Sequence, residues 1–369
     1  MKKLAIIGAS TGQLPLCRKA KEMGLTTYCF AYEKGAVCKN EVDHFYPISI
    51  YEKDRIVAVC KELEIDGVVS NGSDSTAEIV AYVAEQLNLI GPAYQSLVFL
   101  HNKYNARKLT ETIPQLSTPA YYLYDGTDKN IYPCVVKPCV GGSKKGVSYV
   151  ANPGTFEKAI QYATTEEDTN ILIEEFIEGK ELSVESISYK GVHYVLQITD
   201  KDSSSAPHFV ELGHHQPACI PPEIQSKINT IVPQILSAIG YDNGASHIEL
   251  KYNSDNLYLI EVNLRGGGDC ISNLLVYKSS GHDYLKYMIE VALGQFSEPS
   301  ATTNTSYAGI YYLCKQTAHL LPFFKEAEGK EWVVEKEIYS TDLKESHSNY
   351  ERNGYLIYQS DHKITPNNK

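Results

Sequence analysis

Residues 247–269, HIELKYNSDNLYLIEVNLRGGGD, hold two runs rich in strand-forming residues on either side of the turn-like NSDN. Such a pattern folds as an antiparallel hairpin. With Ser254, Asp255 and Asn256 as its loop, Glu249 pairs with Glu261 and His247 with Asn263. Side chains alternate along a strand, so positions 247, 249, 261, 263 and 265 share one face. Directly opposed Cβ atoms lie ~4.5–5.5 Å apart, where like charges repel. Two facing carboxylates therefore need a proton or a cation between them. Asn263 adds a neutral oxygen, giving an all-oxygen set suited to Mg²⁺ shared with nucleotide phosphates. Arg265, on the same face, has the charge and fork to clamp a transferring phosphoryl group. The glycines of GGGD (266–269) let another backbone come close. The plainer alternative is a solvated polar face carrying two acids.

The rest of the chain is long enough to build around such a hairpin. Its 369 residues suggest two or three domains, and a 43% apolar fraction allows a sizeable core. MKKLAIIGAS reads as a buried strand, with an apolar run too short for a signal peptide. No apolar stretch approaches the ~18 residues of a membrane span. Nine cysteines without a CxxC spacing argue against a disulfide framework or zinc ribbon. These features predict a soluble cytoplasmic protein. A net charge of -11 disfavours nucleic acid as a partner, because phosphate backbones attract basic surfaces.

The N-terminal part alternates strand and helix. LAIIGA (4–9), TTYCFAY (26–32) and DGVVSNG (66–72) read as strands, and 14–24, 54–65 and 75–89 as helices. That order predicts a parallel sheet covered by helices, ending near the Gly91-Pro92 breaker. GASTG (8–12) lacks the GxGxxG of a dinucleotide site and reads as a tight strand-to-helix turn. SLVFLHNKYNARKLTETI (96–113) reads as one connecting helix, and 221–240 and 283–295 as further helices.

VVKPCVGGSKKGV (135–147) points to an anion. Lys137 lies inside an apolar strand, and a buried ammonium needs an anionic partner, unless the side chain snorkels at an edge. The following glycine-rich turn carries Ser143 and Lys144 and can aim backbone N–H groups at phosphate oxygens, although it is not a Walker loop. In ILIEEFIEGKE (171–181), a strand with free backbone groups can pair with an adenine edge, and Glu181 can accept from ribose hydroxyls. A charged edge strand guarded against aggregation is the alternative.

Taken in order, Lys103 in HNKYNARKL, Lys137 in VVKP, the GGSKKGV loop, EEFIEGKE and the E…EVNLR pair resemble the ATP-grasp superfamily over roughly residues 1–300. The resemblance implies an α/β chain. It would have an N-terminal parallel-sheet pre-ATP-grasp domain (1–95), an ATP-grasp domain (96–300, central subdomain about 115–170) and a small C-terminal mostly β segment (301–369). It implies that Lys103 and Lys137 hold ATP phosphates, that the loop with Ser143 and Lys144 closes over them, and that Glu174, Glu175, Phe176 and Ile177 meet adenine. Glu181 would take the ribose, and Glu249, Glu261 and Asn263 two Mg²⁺, with Mn²⁺ as a substitute.

FVELGHHQPA (209–218) and HIELK further resemble carboxylate–amine ligases of the L-amino acid ligase type. By that resemblance Glu211, His214, Arg265 and Gly267 lie at the substrate, Glu211 suits an ammonium, and Lys137, His214 and Arg265 serve catalysis. The implied reaction joins a small-molecule carboxylate to an amine through an acyl phosphate, and the implied assembly is a homodimer. Leu264 departs from the ExNPRxGG form usual at this motif. Three rival readings remain: a carboxylase-like enzyme activating bicarbonate, a nucleotide-binding protein without catalysis, and an oxidoreductase built on GASTG.

Overall fold

A computed structural model describes residues 1–141, 145–164, 170–206, 209–254, 256–300 and 306–366. Strands β1 (Lys3–Ile7), β2 (Thr26–Phe30), β3 (His44–Tyr46) and β4 (Gly67–Val69) form a parallel sheet of order β3-β2-β1-β4. The fold is α/β, as the alternation predicts. The GASTG turn is packed from beneath: Gln13 is buried, accepts from Ser10 N and Oγ, and donates to the Asn71 carbonyl.

A second sheet, of order β5-β8-β6-β7, comprises β5 (Tyr121–Leu123), β6 (Cys134–Pro138), β7 (Ser148–Val150) and β8 (Ile171–Glu175), paired antiparallel. The third has eight strands: β9 (Lys180–Tyr189), β10 (Val192–Ser203), β11 (Glu211–Gln216), β12 (Gly244–Asn253), β13 (Asn256–Asn263), β14 (Tyr307–Leu313), β15 (Val333–Ile338) and β16 (Gly354–Ser360). Their order is β13-β12-β9-β10-β11-β14-β16-β15, so the C-terminal strands continue the central sheet through the β11–β14 pairing.

One face of this sheet is apolar. Leu182, Val184, Ile198, Ile248 and Leu250 pack on the helix Pro222–Ala238, whose Ile224, Ile228, Ile231, Val232, Ile235 and Leu236 recur at helical spacing. Each such buried side chain contributes about 1.5–3 kcal/mol. The helix Tyr284–Ala292 joins the central sheet to the N-terminal one, packing Leu285, Met288 and Ile289 in a single cluster with Leu4, Ile6 and Ile187. Gly67 stands where the two come closest: a Cβ there would lie 2.7 Å from the Ala292 carbonyl.

The expected helix over 96–113 is two helices, Tyr94–Leu100 and Lys103–Thr110. The break has a local cause: Asn102 caps the second helix, its side chain accepting the Tyr104 N–H at 3.0 Å. That break places Lys103 in the first turn of a new helix, aimed at the cleft between the second and third sheets.

Candidate active site

The polar face of the central sheet builds the site in registered rows. Paired residues of neighbouring strands share a face. One row runs Asn263, His247, Glu185, Gln197; the next runs Glu261, Glu249, Ser183, Thr199; a third runs Lys251, Glu181, Lys201, His214. Glu249 faces Glu261 and His247 faces Asn263, as expected, but the loop differs. Asn253 pairs with Asn256, and a bulge between Glu249 and Leu250 shifts the register by one residue before the carboxylates meet. Asp255 lies outside the described residues. Ile260, at the bulge, gives its carbonyl to Arg107 Nη2 at 3.0 Å.

The two glutamates make their contacts through Oε1. Glu249 Oε1 lies 2.6 Å from Lys201 Nζ and 3.3 Å from His247 Nε2, and Glu261 Oε1 lies 3.2 Å from Lys103 Nζ. Burial alone would raise the Glu249 pKa; Lys201 and His247 outweigh it and hold the carboxyl well below its usual range. His247 Nδ1 is bound to the fully buried Glu185, which also accepts the Gly267 N–H at 3.1 Å. Burial opposes a charge on His247, yet Glu185 raises its pKa to about 9. Gly267 touches this pair directly: a Cβ there would lie 2.7 Å from His247 Nδ1 and 3.0 Å from Glu185 Oε1.

The helix Lys103–Thr110 presents Lys103 and Arg107, one turn apart, on one face. Lys103 also reaches the Gly141 carbonyl at 2.6 Å, beside the glycine turn. Arg107 clamps Glu174 with Nε at 2.8 Å and Nη2 at 3.2 Å. Glu174 lies diagonally across β6 and β8 from Lys137 and is ion-paired with it. Burial depresses the Lys137 pKa despite that carboxylate, while the two cations hold Glu174 down at about 2.

These contacts correct one detail of the sequence reading. β8 lies between β5 and β6, so its backbone groups are paired rather than left free for an adenine edge, and the Glu174 side chain is turned into a buried ion cluster. The N–H groups of Glu175 and Phe176 are likewise taken, by the carbonyls of Ala120 and Pro133. Phe176 instead offers a ring, 4.8 Å from Tyr149 and 5.7 Å from Phe209, with Lys251 Nζ 5.0 Å from its centroid. Ile177 is buried beside it. Glu181 takes Lys251 at 3.2 Å and Ser203 Oγ at 2.8 Å. Ser143 and Lys144 lie outside the described residues.

The stretch 211–216 is β11, and its alternation sends the two histidines to opposite faces. His215 contacts Asp202 and Tyr358, away from the site. His214 is fully buried, its Nε2 lying 3.5 Å from Glu211 and 3.6 Å from Asp269, and neither ring nitrogen makes a hydrogen bond. Burial opposes a proton on His214, and the flanking Asp269 and Glu211 nevertheless raise its pKa. One ligand atom each of Glu211, His214 and Asp269 fall within 4.8 Å of one another. Lys201 holds Glu211 at 2.8 Å, and Arg352 holds Asp269 at 2.8 and 3.0 Å while lying 3.5 Å over the Tyr312 ring.

Arg265 is drawn toward the helix that follows β4 of the parallel sheet. Its Nε and Nη2 bind Asp74 at 2.5 and 3.3 Å, and Nη2 lies 3.4 Å from Asn263 Oδ1. The site thus gathers Lys103, Lys137, Glu211, His214, Glu249, Glu261, Asn263, Arg265 and Gly267. It adds Asp74, which ends the NGSD stretch (71–74) where an open sheet places either a ligand or a helix cap, and Arg107, Glu185, Lys201, Asp269 and Arg352, which sequence reasoning missed. Of the missed residues only Lys201 had a local signal, as a lysine between two acids in TDKD (199–202).

Residues 130–273 match the family described as the ATP-grasp domain. This chain carries an ATP-grasp domain. The ATP-grasp fold extends beyond that match. An L-amino acid ligase from Bacillus licheniformis superposes with a TM-score of 0.80 at 24% identity, covering 98% of this chain and 94% of that one. A biotin carboxylase from Campylobacter jejuni superposes with a TM-score of 0.72 at 20% identity, covering 98% and 87%. Among curated relatives, a D-alanine–D-alanine ligase from Flavobacterium johnsoniae is 31% identical over 158 residues, or 39% of this chain and 48% of the relative. The chain spans about half the length of the curated relatives it matches. Among the described residues, no helix is long and apolar enough to cross a membrane.

Proposed function

We propose that this chain is an ATP-dependent ligase joining the carboxylate of an amino acid to an amine through an acyl phosphate. One observation carries the reading. Lys201 touches both Glu249, 2.6 Å away, and Glu211, 2.8 Å away, so a carboxylate pair fit for a metal adjoins a second acidic pocket. The second pocket suits an ammonium. Glu211 and Asp269 offer carboxylate acceptors within 4.8 Å of each other and of a His214 ring nitrogen, to which the N–H groups of one protonated amine can donate. Lys201 and Arg352 already neutralise much of the acidity, which favours a monovalent over a divalent cation.

Glu249, Glu261 and Asn263 fit Mg²⁺, being hard oxygen donors whose glutamate Oε2 atoms are left for an ion. Bound there with ATP, Mg²⁺ would neutralise charge on the phosphates. Lys103 and Lys137 hold phosphate oxygens, and the Tyr149–Phe176–Phe209 rings receive the base. The substrate carboxylate attacks the γ-phosphorus, ADP leaves, and Arg265 stabilises charge spread over the transferring group. The amine then attacks the acyl carbon; phosphate departs and the amine loses a proton.

The second reading, bicarbonate activation, draws support from the likeness to biotin carboxylase. The acidic pocket counts against it, because bicarbonate is an anion. The deciding experiment is phosphate release from Mg-ATP with single amino acids, paired amino acids, and bicarbonate. Amino acid-dependent release with a matching dipeptide or amide mass is expected. Release with bicarbonate alone would replace the ligase reading with the carboxylase one.

A further inference from the structure

We infer that Asp74 is a positioning residue for Arg265, through which the N-terminal domain completes the phosphoryl-transfer site. The inference rests on the reading of Arg265 as the group that meets the transferring phosphoryl.

Asp74 opens the helix Asp74–Gln86, just beyond the carboxyl end of β4. An acid in a first turn has a plain role, complementing the helix dipole. Here both carboxylate oxygens are directed elsewhere, Oδ1 to Arg265 Nε at 2.5 Å and Oδ2 to Nη2 at 3.3 Å. Nη1 donates to the Gly266 carbonyl at 3.1 Å. A guanidinium has five N–H groups in a rigid fork. With Nε bound to Asp74, Nη2 shared between Asp74 and Asn263, and one Nη1 hydrogen engaged by Gly266, the remaining Nη1 N–H has a fixed direction.

A second contact fixes the same junction. Ser272 Oγ lies 3.2 Å from Asn71 Oδ1 and donates to the Gly267 carbonyl at 2.6 Å. A Cβ on Gly266 would lie 2.4 Å from Asn71 Oδ1, so the segment after Arg265 sits against the end of β4 with no room for a side chain. Two residues of the N-terminal domain, Asn71 and Asp74, therefore hold the segment that carries Arg265. A side chain of this length, left to itself, samples several rotamers. Locking it beforehand removes that entropy from the transition state.

The test uses the purified full chain in Asp74→Asn, Asp74→Glu, Arg265→Lys and the Asp74→Asn/Arg265→Lys double variant. In the phosphate-release assay, Asp74→Asn is expected to lower kcat roughly ten- to a hundredfold. KM for ATP should stay within about twofold, since uniform binding is untouched. Asp74→Glu should recover most of the rate, and Asp74→Asn should cost little more in the Arg265→Lys background. An unchanged kcat in Asp74→Asn, or an equal loss in both backgrounds, would overturn the inference. A readout independent of turnover is the Arg265 Nε–Hε resonance of ¹⁵N-arginine-labelled protein, identified by its absence in Arg265→Lys. Slow solvent exchange of that proton in the wild type, accelerated by Asp74→Asn, supports the contact; fast exchange in both proteins refutes it. A wild-type chain that releases no phosphate would sink the ligase reading while leaving this readout decisive for Asp74.

Discussion

Arg107 Nε stands 2.8 Å from Glu174 Oε2, across 67 residues of sequence, and this pair carries Lys137 with it. All three side chains are buried, so the cluster must stay complete. Glu174→Gln leaves two buried cations facing a neutral amide. We expect it to destabilise the fold by about 3 kcal/mol, the usual cost of breaking a buried ion pair from one side. Urea unfolding at neutral pH measures this, and a loss within error would exclude the cluster as a stabilising element.

The same carboxylate sets a pH dependence. Its folded pKa is depressed to about 2 from an ordinary 4.5. The stabilisation is therefore present above the unfolded value and is lost as pH falls through the folded one. The gap in urea midpoint between wild type and Glu174→Gln should be widest above about pH 4.5 and close as pH falls toward about 2. A gap independent of pH would contradict the assignment.

The two candidate metal-ligating glutamates should respond differently. Glu261 is one-third exposed and touches Lys103, whereas Glu249 holds both Lys201 and His247. Glu261→Gln is expected to leave the unfolding midpoint nearly unchanged while lowering Mg-ATP turnover about a hundredfold, as loss of one electrostatic group in an active site does. Glu249→Gln should lose both activity and stability. Equal stability loss in the two variants would remove the distinction, and unimpaired turnover in Glu261→Gln would undo the metal reading.

Gly267→Ala places a methyl group within 2.7 Å of His247 Nδ1 and 3.0 Å of Glu185. Neither partner can retreat without breaking a buried ion pair. A destabilisation of about 1–3 kcal/mol is expected, as for other overpacked sites. The equilibrium unfolding curve reads it directly, and a neutral result would mean the loop at 266–268 shifts freely.

Glu211→Gln should raise KM for the proposed amino acid substrate while KM for ATP holds, since its pocket adjoins the candidate metal carboxylates through Lys201. Initial rates at varied amino acid and fixed ATP separate the two. A change confined to KM for ATP would move Glu211 out of the substrate pocket.

Much of the site was legible because strands have a period of two. The alternation of His247, Glu249, Glu261 and Asn263 fixes which side chains share a face, whatever surrounds the hairpin. The register was legible for a less direct reason. The connection is tighter than a three-residue loop, and the bulge after Glu249 restores the pairing of the carboxylates. Glu174 shows the opposite case. Its sequence context, four acids around an apolar strand, left an adenine-binding strand and a charged edge open, and Arg107 from a separate helix, together with Lys137 on the neighbouring strand, explains why its carboxylate turns inward.

The sequence by itself determined the alternating parallel sheet, the hairpin with its facing carboxylates, and a lysine that needed an anion. These are local consequences of periodicity and of the cost of burying charge. Tertiary structure alone decided the partners: Asp74 for Arg265 across 191 residues, Arg107 for Glu174, Lys201 between Glu249 and Glu211, and Arg352 for Asp269. A charge in a sequence states only that compensation is required. Which distant residue supplies it depends on how the sheets and helices pack, and that is settled by the whole chain at once.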